Sequence, residues 1–325
     1  MRSSFVRRGL TAIGAAVLAT AALASTATAD PGVTPRWTDL VGVGSDTTQT
    51  VLNDLSALYN YDTGAARRVA SFDASDPATG QTGGQVQIKP GVTIERPNGS
   101  VAGVDALRAN RAVDFARSSV GPAADTPANL VYLPFAIDDL RYVVDAPATN
   151  APLDVTRDEL VRIYNCEATT WSAVRPGLSG DTIAPKIPQA GSGTRALFLE
   201  QLGLTAPGAC VAEVQEHDHT AVDGNPNAIL PFSSARFFID VPVDETGRRK
   251  VVQGNFDGGF IVAHNLYNVV RKEGPGAGVP AGLRPFLGDG KGANGWICGD
   301  NARRQIVNNG FRNLPANECG VAVKR

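Results

Sequence analysis

Three times in this chain, glycine and hydroxyl residues stand immediately before an amphipathic helix pattern. Gly44-Ser45-Asp46-Thr47-Thr48 follows the buried-strand run Leu40-Val41-Gly42-Val43 and precedes Val51, Leu52, Leu55, Leu58 and Tyr59 at helical spacing. Gly99-Ser100-Val101-Ala102-Gly103 opens onto Val104 and Leu107. Gly191-Ser192-Gly193-Thr194-Arg195 follows the extended stretch Ala184–Pro188 and opens onto Leu197, Phe198 and Leu202. Such a joint aims free backbone N–H groups and a hydroxyl at one point beside the positive end of a helix, which suits an anion. The same residues also serve as ordinary helix caps. It is their threefold recurrence, with Arg195 just inside one helix and Arg117-Ser118-Ser119 after a strand, that points to an anion site.

The rest of the chain keeps the strand-then-helix rhythm. Strands are expected around Val86–Ile88 and Val113–Ala116, and at Ile229–Phe232, Phe237–Val241 and Phe256–His264. Leu130–Ile137 and Arg141–Val144 read as paired extended segments separated by Asp138-Asp139. Helices are expected after Thr156 and Asp158, with Leu160, Val161 and Ile163 on one face, and over Ala302–Val307. This alternation predicts an α/β fold built on parallel sheet. It does not by itself give the number of lobes.

A formal net charge of −2 over 325 residues lacks the basic excess that nucleic-acid binding needs. Enzyme motifs do not fit. Gly42-Val43-Gly44 begins a dinucleotide-type pattern that fails at Thr47, no phosphate-binding Gly-x-Lys-Ser/Thr is present, and Ser192 lacks the flanking glycines of a nucleophile elbow. Glu216-His217-Asp218-His219 resembles a metal cluster, but its alternation suits a polar loop better. No cofactor or metal is expected, and a binding protein is expected rather than an enzyme.

Residues 1–29 have the layout of an export signal: Arg2, Arg7 and Arg8, an apolar run from Leu10 to Leu23, then Ala27-Thr28-Ala29. Cleavage is expected after Ala29, leaving a secreted or periplasmic protein. No cysteine precedes Cys166, so no lipid anchor on an N-terminal cysteine is expected. Cys166, Cys210, Cys298 and Cys319 are an even set in an exported chain, which reads as two disulfides. Three pairings are open. Pairing sequence neighbours, Cys166 with Cys210 and Cys298 with Cys319, keeps each bridge within one region. A zinc site is the poorer reading, because there is no CxxC pair and histidine is scarce.

The motifs and their order resemble the phosphate-binding components of ABC importers, within the type II periplasmic binding proteins. The resemblance rests on Gly42–Thr48, Asn98-Gly99-Ser100 with Gly103-Val104, Val113–Ser119, Leu160–Trp171 (LVRIYNCEATTW), Gly191–Thr194 and Asn309–Pro315. It implies two α/β lobes joined by crossover strands, about 37–135 plus 259–325 and 136–258, closing on a small oxyanion, phosphate first. It also implies a monomer that hands its ligand to a membrane permease. Carried over by position, the ligand set is Thr47, Ser100, Ser119, Ser192, Gly193 and Thr194, with Ser45 and Asp46 in the first loop. Two departures stand out. Ser119 stands where many members have an aspartate, so Asp46 becomes the candidate proton acceptor, or else only a helix cap. Lys186–Gln189 stands where the family often has an arginine, so the cation falls to Arg195 or Arg117.

Overall fold

The computed structural model describes residues 30–31, 34–254, 258–274 and 278–323. The expected export signal lies outside them. In chain order the elements begin with β1 (Leu40–Gly44), α1 (Gln49–Thr63), β2 (Val69–Ser71), β3 (Gln85–Lys89), β4 (Val92–Glu95), α2 (Ser100–Ala109), β5 (Phe115–Ser118) and β6 (Leu130–Asp145). There follow α3 (Arg157–Tyr164), α4 (Trp171–Val174), β7 (Ala184–Pro188), α5 (Gly193–Leu202), β8 (Ala212–Val214), β9 (Ala228–Ser233) and α6 (Ser234–Asp240). The chain ends with β10 (Val251–Gln253), β11 (Val262–Arg271), α7 (Arg284–Leu287), α8 (Asp300–Asn308) and β12 (Arg312–Asn313).

The main sheet runs β2-β1-β5-β11-β6-β9-β7-β8, with β10 and β12 also paired to β6. Its two ends are parallel: β1 pairs with β2 and β5, and β7 pairs with β8 and β9. Its centre is antiparallel. β6 pairs with β11 over Leu130–Leu140 and with β9 over Leu140–Val144. One 16-residue strand therefore serves both halves. Apolar residues from before 137 and after 265, such as Leu52, Phe72, Phe115 and Phe286, together with Ala235 of α6, form the cores on one half. Residues 140–262, such as Tyr164, Trp171, Phe198 and Phe232, form those on the other.

Two expectations fail for identifiable reasons. Asp138-Asp139 does not break β6. The buried Asp138 accepts the backbone N–H of Ala235 at the start of α6, and Asp139 pairs with Arg312, so both acids are used inside the strand. Phe237–Val241 is not a strand but lies in and just after α6. The Ser233 hydroxyl accepts the Arg236 N–H, and Arg236 pairs with Asp240 one turn on, so cap and ion pair favour helix over the β-prone side chains. Of the expected extended stretch Phe256–His264, residues 256 and 257 lie outside the described residues, 258–261 precede β11, and β11 runs from Val262 past His264 to Arg271.

Both disulfides link sequence neighbours, Cys166–Cys210 and Cys298–Cys319. In the second half, α3 carries a reciprocal Thr156/Glu159 capping box, and Arg175 binds both Glu159 and Asp154. That polar clamp fixes the helix whose Leu160, Ile163 and Tyr164 enter the core. No helix among the described residues is long and apolar enough to cross a membrane.

Candidate functional site

The carboxyl ends of the parallel strands converge from both halves, the position where open α/β sheets place their ligands. From one half come the β1–α1 turn, the N-terminus of α2 and Ser119 beyond β5. From the other come the β7–α5 turn, the residues after β8 and the start of α6. The halves touch directly: the Val101 N–H donates to the Gly191 carbonyl at 3.0 Å. Gly99 makes that approach possible. It has φ +112°, and a Cβ there would lie 2.3 Å from the Gly191 oxygen.

At this seam Ser100 Oγ lies 3.1 Å from Ser119 Oγ and accepts the Ser119 N–H at 3.0 Å. Gly193 packs against the same two hydroxyls. Thr47 Oγ1 is 3.5 Å from Thr194 Oγ1. Ser192 caps α5 by accepting the Arg195 N–H. Thr47, Ser100, Ser119, Ser192 and Thr194 are all buried. Six of the residues expected from the sequence, these five and Gly193, thus meet in one hydroxyl-lined cage.

The expected cations stand elsewhere. Arg195 binds the Pro188 carbonyl and the half-exposed Glu213 carboxylate. Arg117 is fully buried behind the first loop and donates to the carbonyls of Gly44, Ser45 and Phe72 and to the Ser71 hydroxyl. Burial lowers it to about 10, against the pull of Asp73, Asp30 and Asp46, so it stays charged at neutral pH. The buried cation near the cage is Arg236, which sequence reasoning missed. It bonds Thr50 and Asp240 and stands 3.7 Å from Asp46 Oδ1. Ser45 is buried within the first loop, and its hydroxyl has no partner.

Glu216 and His217 were also missed as site residues. Glu216 Oε1 accepts from the Thr194 backbone N–H at 3.2 Å and from Thr47 Oγ1 at 3.3 Å. His217 Nε2 lies 3.1 Å from the same Thr47 hydroxyl. Burial, then the nearby Arg236, holds the imidazole well below its usual range, so it is neutral. His217 also has φ +62°, a left-handed conformation that few non-glycine residues adopt. Burial raises Glu216, although the Thr194, Ser192 and Thr47 hydrogen bonds hold it down. Asp46 Oδ1, Thr48 Oγ1, Glu216 Oε2 and His217 Nδ1, like Ser45 Oγ, are buried with no hydrogen-bond partner. Unpaired buried polar atoms are costly, and their concentration here marks the seam as built for something polar.

Asp46 is pushed up to about 7, chiefly by burial, with Arg236 opposing and Glu216 and Asp240 adding to the rise. The folded chain therefore keeps a proton that the unfolded chain releases, and stability falls as pH climbs through about 7. His217 has the opposite sign, but its contribution is lost only as pH falls below about 6.5. As pH rises from about 6.5 towards 7.5 the protein should lose stability in urea denaturation, and the loss should level off above that. Asp46→Asn should remove most of that slope. An unchanged slope in the variant would show that Asp46 is not the titrating group.

A family model described as the PBP superfamily domain matches residues 24–229. No curated protein matches. Among solved structures, the fold is similar to a protein from Clostridium perfringens described as a phosphate ABC transporter substrate-binding protein with bound phosphate. The two are 16% identical over 85% of this chain and 100% of that one, with TM-score 0.62. It is similar to an ABC-type phosphate transport receptor from Vibrio cholerae, 19% identical over 85% and 100% of the two chains, with TM-score 0.58. A phosphate binding protein from Stenotrophomonas maltophilia is 13% identical over 88% and 92%, with TM-score 0.51. At these identities the likeness is one of fold. The family model covers well over half of the sequence, and the chain belongs to the PBP superfamily.

Proposed function

We propose that this protein is an exported solute-binding protein that closes on a small oxyanion, inorganic phosphate first, between lobes of about 37–135 plus 259–325 and 136–258. The observation that carries this reading is the cage itself. Neutral donors from both halves meet beside the N-terminus of α5, and the donors at Thr47 and Thr194 already hold a carboxylate oxygen. An anion held by neutral donors and a helix terminus needs no contacting arginine. The ligand set is Thr47, Ser100, Ser119, Ser192, Gly193 and Thr194, with Arg236 supplying longer-range attraction through the first loop. Arg117 and Arg195 position loops rather than touch the anion. Capture by one half followed by hinge closure completes the cage. The phosphate named for the Clostridium perfringens and Vibrio cholerae proteins supports phosphate over other oxyanions, and delivery to a membrane permease follows the same relatives.

The test is calorimetric titration of unfolded-and-refolded protein with phosphate, sulfate, arsenate and molybdate. Phosphate should bind, and Thr194→Val should weaken it at least tenfold, because that hydroxyl is buried in the cage. Equal affinity of Thr194→Val and wild type would remove the cage as the site. No rise in melting temperature with millimolar phosphate or the other oxyanions would favour an extracellular interaction or sensory protein on the same fold.

A further inference from the structure

Glu216 belongs to neither strand nor helix. It follows the three-residue edge strand β8, and its position is secured from both halves. The Glu216 N–H donates to Gln189 Oε1 at 2.7 Å. The preceding Gln215 exchanges hydrogen bonds with Asn98, which also accepts from Gln189. The result is a buried carboxylate whose Oε1 takes the α5 N–H of Thr194 and the hydroxyl of Thr47. A phosphate oxygen seated in the same cage needs those same donors, and one donor cannot serve two acceptors at full strength.

Behind Glu216 lies a cavity of about 320 Å³, lined in part by Asp46, Gln49, Ser75, His217, Arg236 and Asp240. The charged and titratable groups facing Glu216 are Asp46 from the first loop, His217 and Asp218 from its own loop, and Arg236 and Asp240 from α6. Arg236 gives the displaced carboxylate a cation to turn towards.

We propose that Glu216 is a tethered competitor for the anion cage: its carboxylate holds the ligand-free molecule closed, and an oxyanion enters by displacing it into the neighbouring cavity. This rests on the oxyanion reading of the cage. A side chain on a short tether acts at millimolar or higher effective concentration, so it sets the threshold at which free anion wins.

The experiment pairs phosphate calorimetry with small-angle scattering on wild type, Glu216→Ala and Glu216→Gln at about pH 7.5. Glu216→Ala should bind phosphate at least tenfold more tightly than wild type. Glu216→Gln keeps the shape and loses the charge, and should gain less. Without phosphate, Glu216→Ala should be more open than wild type, and phosphate should close it again. Equal or weaker phosphate binding by Glu216→Ala, with wild type binding normally, overturns the competitor and makes Glu216 a bystander or a ligand. So does a ligand-free wild type as open as the alanine variant. Absence of binding to every oxyanion in all three proteins overturns the cage reading and the competitor with it. Circular dichroism separates these outcomes from misfolding, and Glu216→Gln carries the test if the alanine variant does not fold.

Discussion

Gly193→Ala is expected to reduce phosphate affinity at least 100-fold while leaving both cores folded. Gly193 is the first residue of α5, and its α-carbon packs against hydroxyls from the other half. A Cβ there would stand 2.2 Å from Ser119 Oγ, 2.3 Å from Ser100 Oγ and 2.9 Å from Ser100 Cβ. Serine side chains are short, and Ser100 Oγ is already committed to the Ser119 N–H, so neither can move aside without breaking the cage. The clash exists only when the halves are together. Apart, alanine is at least as good a helix residue as glycine. The substitution therefore acts on closure and not on folding. A 100-fold loss corresponds to about 2.7 kcal/mol, well below what such an overlap would cost if unrelieved. Titration calorimetry measures the affinity, and circular dichroism the fold. Affinity within threefold of wild type would mean that ligand is bound with the two halves further apart than in this structure.

Much of this cage was legible because its parts lie at strand–helix joints, where glycine, serine and threonine are conspicuous against apolar flanks. The loops at 44–48 and 191–195 could be read from local pattern alone, and the cysteine pairing from proximity in sequence. What escaped reading depends on tertiary context. β8 is Ala212-Glu213-Val214, three residues on a sheet edge with two exposed, too short for alternation to register. Glu216 and His217 after it therefore looked like a polar loop with a metal-like composition. Arg236 was hidden because Phe237-Phe238-Ile239 reads as strand, and only the Ser233 cap and the Asp240 partner reveal a helix. The crossover strand β6 reads as two segments because an acid pair normally marks a turn. Here each acid finds a partner brought from elsewhere in the chain. Arg117 and Arg195 read as anion contacts because charge near a glycine-rich loop suggests contact. Sequence gives their nearness to the loop but not the side of the loop on which they lie.

Arg117 gives the clearest consequence of that distinction. Arg117→Met is expected to destabilise the protein by about 3–5 kcal/mol, through the several buried acceptors it leaves unpaired. The guanidinium is fully buried on β5 and donates to Gly44 O at 3.0 Å, Ser45 O at 3.3 Å, Ser71 Oγ at 2.8 Å and Phe72 O at 2.6 Å. Methionine fills the volume and leaves three carbonyls and a hydroxyl without donors, each at a cost of about 1–3 kcal/mol where water cannot reach. Two of those carbonyls belong to Gly44 and Ser45, so the first loop loses its support and Thr47 its place in the cage. Phosphate binding should weaken as a result. Arg117→Lys separates positioning from contact. It keeps the charge, but a single ammonium cannot span four acceptors held at a fixed fork. If Arg117 positions the loop, Arg117→Lys is nearly as unstable in urea as Arg117→Met, and saturating phosphate restores part of the stability of both. If Arg117 touched the anion, Arg117→Lys would retain most of the affinity and Arg117→Met would lose affinity with little change in the urea midpoint. The four inward hydrogen bonds predict the first pattern.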